Sequence, residues 1–398
     1  MSIQLADRIN RLEESATLLM SKKSRELASQ GIDVINLSLG EPDFTTPKHI
    51  CDAAKNALDQ GYTYYTPVAG YLDLRQAISA KLKRENDLDY SADQIVVSTG
   101  AKQSLSNTIL ALINPGDEVI IPTPYWVSYS EMVKMAEGKS VFIPASIDCN
   151  FKITPDQLEA AITPKSKLFM FSSPSNPTGA VYSKEELAAL VKVFEKHPQI
   201  YILSDEIYEH INFGSKHASI ASFESVKDRV IIINGFSKGF AMTGWRLGYM
   251  AAPKAIAAAC DKLQGQVTSG TCSIAQRAAL TALTTDMEPT YEMREAFRKR
   301  RDIVYNLLKE MNGVKANLPD GAFYFFPDVS SFFGKSYNGK VVKNADDLSI
   351  MLLTEAHVST VSGESFGDPN SIRFSYAASE TKLIEAMKRI AAFLNELK

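Results

Sequence analysis

Three charged side chains that are far apart in the sequence could act together on one small molecule: Lys238, Asp205 and Arg373. Lys238 follows the β-branched run VIII at 230–233 and stands just before Gly239, where the chain has to turn. Open parallel sheets bind ligands beyond the exits of such strands, and a partly desolvated lysine there attacks carbonyl groups and forms a Schiff base. Because a lysine after a strand is most often a solvated loop residue, this role needs support from other residues.

Asp205 also ends an apolar run, IYILS, and Tyr208 follows it three residues later. A carboxylate in this position is a metal ligand, a surface acid or the partner of a cationic ring nitrogen. An apolar run that ends in Asp-Glu also resembles the strand of a nucleotide hydrolase. That interpretation requires a GxxxxGK[ST] loop, and the nearest match, at 333–336, has Val329 in place of the first glycine, so we reject it.

Arg373 lies in the alternating stretch SIRFSYA, which is typical of a strand with one solvent-exposed face. By default Arg373 would be on the exposed face. A guanidinium is, however, also the best receptor for a carboxylate, because it can donate two parallel hydrogen bonds. Both interpretations stay open at this point.

Three turns contain further groups that could bind a ligand. The turn at 99–102, TGAK, opens directly into a predicted helix, whose free N–H groups and dipole suit a phosphate. Tyr125 and Trp126 follow a strand end and could stack on a flat ring, although such residues are more often simply half-buried. Asn176 precedes a proline, so it is not a glycosylation acceptor and its amide is available to a ligand.

Strands and helices alternate along the part of the chain that must position these groups. The runs QIVVS, EVIIP, KLFMFSS, IYILSD and VIIING predict buried strands with helices between them. Thr46 is predicted to cap a helix that starts at Pro47 and stops at Gly61. Alanine-rich helices are predicted at about 253–287 and 289–312. Beyond them, short strands and a final helix at 381–397 indicate a second, smaller α+β domain.

Composition restricts the class of protein. The 398 residues are 45% hydrophobic and 22% charged, and the net charge is −3, which argues against nucleic acid or an anionic membrane as the main partner. No signal peptide or apolar stretch of ~20 residues is seen, so a cytoplasmic location is predicted. The four cysteines form no CxxC pair, which fits a reducing compartment and predicts neither a zinc site nor a disulfide framework.

Six stretches in the order NLSLGEPDF, YTYYTPVAGYLDLR, SPSNPTG, SDEIYEH, GFSKGFAMTGWRLGY and IRFSYA give the chain a resemblance to the fold-type I, class I pyridoxal-phosphate aminotransferases, in particular the bacterial aspartate aminotransferases. The resemblance covers nearly the whole chain. It implies an α/β fold with a mixed seven-stranded sheet in a large domain, a smaller α+β domain, and a homodimer with shared active sites. The implied boundaries are an N-terminal arm and part of the small domain at 1–45, a large domain at 46–290 and the small domain at 291–398.

The resemblance also implies roles toward the cofactor. Lys238 would form the Schiff base, and Asp205 would keep the ring nitrogen protonated. Tyr208 and Asn176 would donate to the phenolic oxygen of the cofactor, and Trp126 would stack on its ring. The residues implied for its phosphate are Ala101, Lys102 and Arg246, with Tyr65 reaching in from the neighbouring subunit. Ser237 is implied as a further cofactor-binding residue. Gly235 departs from the serine of many relatives, so one hydroxyl contact to the phosphate is missing.

For the substrate, the resemblance implies that Arg373 binds the α-carboxylate, with Gly40, Trp126 and Asn176 beside it. Lys102 and Ser15 are implicated in binding a distal carboxylate. Some relatives that also accept prephenate have a basic residue near position 13, where this chain has Glu13.

The function implied is reversible ping-pong transfer of the amino group from L-aspartate to 2-oxoglutarate. The alternatives are transamination of aromatic amino acids or alanine, β-elimination with the same cofactor, and a cofactor-binding regulatory or interaction protein, since fold alone does not determine function.

Overall fold

A mixed β-sheet carries the candidate site at one of its edges. The computed structural model describes residues 4–214 and 216–398. The strands are β1 (Ile35–Asn36), β2 (Ile95–Ser98), β3 (Glu118–Thr123), β4 (Lys139–Pro144), β5 (Ser166–Ser172), β6 (Tyr201–Asp205), β7 (Val230–Gly235), β8 (Gly248–Ala251), β9 (Tyr324–Phe325), β10 (Ser336–Tyr337), β11 (Lys340–Val341), β12 (Val358–Ser359), β13 (Val361–Ser362) and β14 (Ile372–Ser375).

The helices cover both faces of this sheet and pack around a smaller sheet. They are α1 (Asp7–Asn10), α2 (Ala16–Ser29), α3 (Lys48–Asp59), α4 (Leu72–Asn86), α5 (Ala101–Leu112), α6 (Ser128–Met135), α7 (Pro155–Ala161), α8 (Lys184–Phe194), α9 (Lys254–Val267), α10 (Ser273–Thr284), α11 (Glu288–Lys309), α12 (Ala345–Thr354) and α13 (Glu380–Glu396). None of the helices within 4–214 and 216–398 is both long enough and apolar enough to span a bilayer.

Among the described residues the large sheet has seven strands in the order β2-β8-β7-β6-β5-β3-β4. β8 is antiparallel to β2 and β7, and the other neighbours are parallel. In this register Ser172 at the end of β5 lies beside Asp205, and Asp205 lies beside Ile233 of β7. The carboxyl ends of β5, β6 and β7 therefore meet at one edge, which is where ligands bind in sheets of this kind. The predicted α/β fold with a mixed seven-stranded sheet is confirmed.

The central strands are buried on both faces, which explains why their sequences are continuous apolar runs. Along β7, Val230 and Ile232 pack on the side of α4, α8 and α10, whereas Ile231 and Ile233 pack on the side of α5, α6 and α9. Successive β-branched side chains of this strand are buried in two separate cores. A shift by one residue would move each side chain to the opposite core, so the strand has one favourable register. Lys238 and Asp205 are thus held at the ends of strands that cannot slide.

A separate core lies around the three-stranded sheet β13-β14-β9 and the parallel pair β1-β12. Side chains of α11, α12 and α13 complete it. This core joins residues from the beginning and the end of the chain, as expected for the smaller domain. The boundaries at 45/46 and 290/291 remain a proposal, and residues 1–3 of the predicted arm lie outside the described part of the chain.

Two local predictions are wrong. Thr46 does not cap α3, because its hydroxyl donates to Ala241 O at 2.7 Å and accepts from the Trp245 indole at 2.9 Å. The helix predicted at 253–287 is two helices, α9 and α10, with Gly270 in the break. A Cβ on Gly270 would meet Pro67 O at 2.8 Å, so the chain passes too close to another loop to continue as one helix.

Candidate active site

A cavity of about 360 Å³ opens at the carboxyl ends of β5, β6 and β7. Segments from the large sheet, the smaller sheet and the N-terminal arm line it. Most of the site residues predicted from the sequence meet here: Ser15, Gly40, Ala101, Lys102, Trp126, Asn176, Asp205, Tyr208, Ser237, Lys238, Arg246 and Arg373. Tyr65 lies outside the cavity, on a loop where it is 98% exposed.

Lys238 presents its amine inside this cavity. Its Nζ donates a hydrogen bond to the carbonyl oxygen of Gly40, and the turn is closed by Met242 N donating to Ser237 O at 3.1 Å. Gly239 has to be a glycine, because a Cβ there would meet His210 Nδ1 at 2.6 Å. Burial is the largest influence on the pKa of Lys238 and lowers it to about 8, which increases the share of nucleophilic neutral amine near neutral pH.

Asp205 is 5% exposed and faces the same cavity. Its Oδ2 accepts a hydrogen bond from the Tyr129 hydroxyl at 2.7 Å, and its Oδ1 accepts one from Ile207 N at 3.2 Å. Burial raises the pKa of Asp205 to about 6, although these two hydrogen bonds act in the opposite direction. A buried carboxylate of this kind is stabilised by a cationic group that enters the cavity.

Arg373 is 1% exposed, so the default expectation of a solvent-facing side chain is wrong. Its guanidinium carbon lies 4.6 Å from the centre of the Tyr324 ring and 4.9 Å from that of Phe366. Nη1 donates to Asn176 Oδ1 at 2.9 Å, and Nη2 donates to Ser38 O at 2.6 Å. The face of β14 that alternation assigns to solvent is instead covered by these rings and by the loop that contains Ser38.

The turn before α5 brings a helix N-terminus and a guanidinium together. Gly100 has a φ of 83°, and a Cβ on it would collide with Arg246 Nη2, so the guanidinium lies directly against the start of the helix. Arg246 itself has a φ of 54°, an uncommon conformation for a side chain of this size, and its Nη1 donates to Thr243 O at 2.8 Å. A helix N-terminus beside a guanidinium suits a phosphate.

Lys102 adds a second cation to this part of the cavity. Its Nζ lies 4.8 Å from the centre of the Trp126 ring. Desolvation and repulsion from Arg246 lower the pKa of Lys102. Two neighbouring cations at this end of the cavity would suit an anionic group.

The remaining predicted residues lie at the rim and floor of the cavity. Ser15 is the residue before α2, and it lines the cavity together with Thr17 and Leu18 of the same helix. Ser237 is 8% exposed on the floor, next to Lys238. The structure therefore brings these side chains together, while their individual binding roles stay predictions.

The structure explains why position 235 is a glycine, where the resemblance leads one to expect a serine. A Cβ on Gly235 would lie 2.7 Å from the Cα of Gly248 and 3.0 Å from Leu247 O. Gly235 and Gly248 face each other across β7 and β8, and this close approach leaves no room for a side chain. The missing hydroxyl is thus a consequence of how tightly these two strands pack at the site.

We expect Gly235→Ser to lower the free energy of unfolding by about 1–3 kcal/mol, the usual cost of overpacking. Urea denaturation followed by circular dichroism measures this change. Gly244→Ser is the matched control, because a Cβ on Gly244 would have no heavy atom within 4 Å. Equal stability of the two variants would show that β7 and β8 separate without cost and would contradict the explanation.

A buried ion network lies behind the turn that carries Asp205 and Tyr208. Glu209 Oε1 accepts hydrogen bonds from Lys81 Nζ and, at 2.8 Å, from Asn234 Nδ2. Although burial alone would raise it, the Lys81 ammonium holds the pKa of Glu209 well below its usual range. Glu206 and His217 bring further ligand-type atoms close to Glu209, but Lys81 already supplies a compensating positive charge. The network ties the turn after β6 to the end of β7.

Sequence reasoning missed two tyrosines of the site. Tyr129 lies on the first turn of α6, three residues after Trp126, so helical spacing from that residue could have found it. Tyr324 lies on β9 and reaches the cavity only through strand pairing in the smaller sheet. No local signal in FYFF distinguishes Tyr324 from an ordinary core residue.

Comparison with known proteins gives a consistent result. A sequence model of the family described as aminotransferase class I and II matches residues 32–390. The probable aspartate/prephenate aminotransferase of Rhizobium leguminosarum bv. phaseoli is 47% identical over 99% of both chains. The aspartate aminotransferase of Bacillus subtilis is 44% identical over 99% of this chain and all of its own.

Solved structures agree with these sequence matches. The crystal structure of the aspartate aminotransferase from Rhizobium meliloti superposes with a TM-score of 0.97 and 42% identity, and it covers all of both chains. The aspartate aminotransferase from Thermus thermophilus with maleate has a TM-score of 0.91 and 40% identity, over 98% of this chain and all of its own.

Proposed function

Because this chain belongs to the family of class I and II aminotransferases, we propose that it catalyses reversible transfer of the amino group from L-aspartate to 2-oxoglutarate, with pyridoxal 5′-phosphate as cofactor. The observation that carries the proposal is that Lys238, Asp205 and Arg373 line one cavity. An amine, an acid and a guanidinium there can hold an aldehyde cofactor, its ring nitrogen and an amino-acid carboxylate at the same time.

The residues present fit this cofactor. Asp205 offers a buried carboxylate whose charge a protonated ring nitrogen would neutralise. The start of α5 and Arg246 offer donors to a phosphate, and Trp126 lies on the cavity wall as an aromatic surface for the ring. When bound, pyridoxal phosphate supplies an electron sink that stabilises negative charge on the substrate Cα.

Arg373 and Lys102 divide the recognition of the substrate between them. Arg373 is held by Asn176 and Ser38, which fixes the plane of its guanidinium for a carboxylate. Lys102, near the N-terminal arm and Ser15, supplies positive charge for a second carboxylate. A substrate with two carboxylates, such as aspartate, 2-oxoglutarate or glutamate, satisfies both ends of the cavity.

Lys238 is the residue that moves the proton. Its Nζ is the basic group of the cavity, with a pKa lowered to about 8 by burial, so near neutral pH it accepts and releases a proton readily. With cofactor and substrate bound, Nζ would take the proton from the substrate Cα and deliver it to the cofactor within the same half-reaction, and it would carry a proton back to Cα when the 2-oxo substrate is aminated. Tyr208 shares a hydrogen bond with Tyr324, and Asn176 accepts one from Arg373, so both side chains are held in place in the same cavity.

The pH dependence of cofactor uptake follows from the same burial. We expect the rate at which cofactor-free protein takes up pyridoxal phosphate to rise about tenfold per pH unit below pH 8 and to level off above it, because only the neutral amine of Lys238 reacts. Stopped-flow absorbance at a series of pH values measures the rate. A rise that continues unchanged to pH 10 would show that Lys238 keeps the pKa of a solvated lysine.

Two half-reactions test the proposed function. Purified protein loaded with pyridoxal phosphate is mixed with aspartate alone, and the cofactor absorbance is followed before and after 2-oxoglutarate is added. Bleaching followed by recovery is expected. A response to tyrosine or alanine but not to aspartate would overturn the proposed specificity for aspartate. Release of pyruvate from a cysteine conjugate without an added oxo acid would indicate β-elimination instead of transamination.

Prephenate is a second candidate amino acceptor, because the Rhizobium leguminosarum relative is named a probable aspartate/prephenate aminotransferase. The position implicated by the resemblance holds Glu13, whose backbone N–H donates to Glu131 at 2.9 Å and whose carboxylate is 3.4 Å from Lys134. An acid there disfavours a second dicarboxylate of that size. Recovery of the absorbance with prephenate in place of 2-oxoglutarate tests this candidate directly.

The proposed assembly is a homodimer with shared active sites. The loop that carries Tyr65 exposes 84% of Tyr64 and 98% of Tyr65, and Leu58 is 53% exposed on the neighbouring helix. Apolar side chains of this kind suit burial against a second copy, from which Tyr65 would reach the partner cavity. Sedimentation equilibrium tests the dimer. The cytoplasmic location stays a prediction.

A further inference from the structure

Tyr324 contacts three parts of the site that the proposed reaction uses separately. Its hydroxyl oxygen lies 2.6 Å from that of Tyr208, and its ring lies 4.6 Å from the Arg373 guanidinium carbon. A Cβ on Gly40, whose carbonyl accepts from Lys238 Nζ, would collide with the Tyr324 hydroxyl. We propose that Tyr324 is a positioning residue with two separable roles: its ring holds Arg373 for the substrate carboxylate, and its hydroxyl sets the direction in which Tyr208 donates.

Strand pairing places the Tyr324 ring against Arg373. Tyr324 of β9 lies opposite Ser375 of β14, and Ser375 shares a strand face with Arg373, two residues away. The contact is therefore a diagonal cross-strand pair, within reach of an aromatic ring. The centre of the Phe366 ring lies 4.9 Å from the same guanidinium carbon, so two rings contact Arg373. These two contacts and the buried position leave the guanidinium little freedom to turn away from a carboxylate.

The role of the Tyr324 hydroxyl follows from the number of protons that Tyr324 and Tyr208 can donate. Each of the two phenols has one proton, and their hydroxyl oxygens share one hydrogen bond. If Tyr324 donates to Tyr208, the proton of Tyr208 is left to donate into the cavity, and the two bonds strengthen each other. Both tyrosines are buried and burial raises the pKa of each, so both keep their protons in the working pH range.

This inference rests on the proposed function, because it assumes that Tyr208 donates to the phenolic oxygen of the cofactor and that Arg373 binds a carboxylate. The two roles predict different results for two substitutions at the same position. Tyr324→Phe removes the hydroxyl and keeps the ring. Tyr324→Leu removes both, and Phe366→Leu removes only a ring that does not touch Tyr208.

Two measurements on the cofactor-loaded protein separate these roles. The first is the dissociation constant of two carboxylate probes, maleate and 3-phenylpropionate. The second is the pH midpoint of the cofactor absorbance, which reports donation to its phenolic oxygen. For Tyr324→Phe we expect probe affinity within about twofold of the unsubstituted protein and a higher pH midpoint, because donation from Tyr208 is weakened. For Phe366→Leu we expect about tenfold weaker probe binding with an unchanged midpoint.

Tyr324→Leu is expected to show both changes together. Equal loss of probe affinity in the phenylalanine and leucine variants would overturn the ring role, and an unchanged or lower midpoint in Tyr324→Phe would overturn the hydroxyl role. The thermal unfolding of each variant is measured alongside. If Tyr324→Leu fails to fold, Tyr324→Phe and Phe366→Leu still test the two roles separately. Failure of the unsubstituted protein to transaminate aspartate would overturn the proposed function alone, because 3-phenylpropionate needs only one carboxylate site.

Discussion

Lys238→Ala is expected to lower turnover with aspartate and 2-oxoglutarate at least ~100-fold while the fold is kept, since general acid–base catalysis contributes about 10²–10⁴-fold. Within 4–214 and 216–398, Lys238 is the lysine whose Nζ donates to the Gly40 carbonyl, while Lys102 lies near Trp126 in the same cavity. Stability should change little, because burial of this amine is itself unfavourable, as its lowered pKa indicates. Steady-state kinetics at pH 8 and a thermal unfolding curve measure the two effects.

Lys254→Ala is the matched control for that experiment. Its side chain is 69% exposed at the start of α9, where it pairs with Asp93 at 2.7 Å, and it does not line the cavity. Turnover of this control should equal that of the unsubstituted protein. Near-normal turnover in Lys238→Ala would end the assignment of Lys238 as the proton-moving residue, whatever the control shows.

Asp205→Asn should be the second most damaging substitution. Asparagine has nearly the same shape and its amide oxygen can still accept from the Tyr129 hydroxyl, although its NH2 group cannot accept from Ile207 N as Oδ1 does. The negative charge that keeps a ring nitrogen protonated is lost, and a buried charge left without its partner costs roughly 3–5 kcal/mol. We therefore expect kcat to fall by about 100- to 1,000-fold and the dissociation constant of pyridoxal phosphate to rise.

Tyr129→Phe separates the charge of Asp205 from its hydrogen bonds. This variant keeps the carboxylate and removes one neutral donor at 2.7 Å, which is worth about 1 kcal/mol and so about fivefold in rate. If Asp205→Asn were no worse than Tyr129→Phe, the charge of Asp205 would have no special part in the reaction. Equilibrium dialysis with pyridoxal phosphate gives a second readout that does not depend on turnover.

Tyr129 and Tyr324 show where sequence reasoning reached its limit at the site. The motif residues around Lys238 and Asp205 were found because each follows a continuous apolar run, a local pattern that also reports burial. Tyr324 sits in an aromatic run whose period suggests only a core strand. Its contact with Arg373 depends on the pairing of β9 with β14, and residues 324 and 375 are brought together by the fold of the smaller sheet.

The two open interpretations of Arg373 have the same origin. Alternation along SIRFSYA describes a strand with one free face, but Tyr324, Phe366 and the Ser38 loop cover the second face. Gly235 is a related case, because its lack of a side chain was read as a lost phosphate contact. The structure shows that the neighbouring strand requires it.

The amino-acid sequence alone determined the α/β class and the strands that end at Asp205 and before Lys238, because periodicity and turn residues act over short distances. The wider set of residues that meet in one cavity came from the resemblance of six stretches of the sequence to a known family. Only the tertiary structure decided that Arg373 is buried beside two aromatic rings, that Tyr129 donates to Asp205, and that Gly235 lies against Gly248. These contacts join residues distant in the chain, and their distances depend on strand register and helix packing rather than on local sequence.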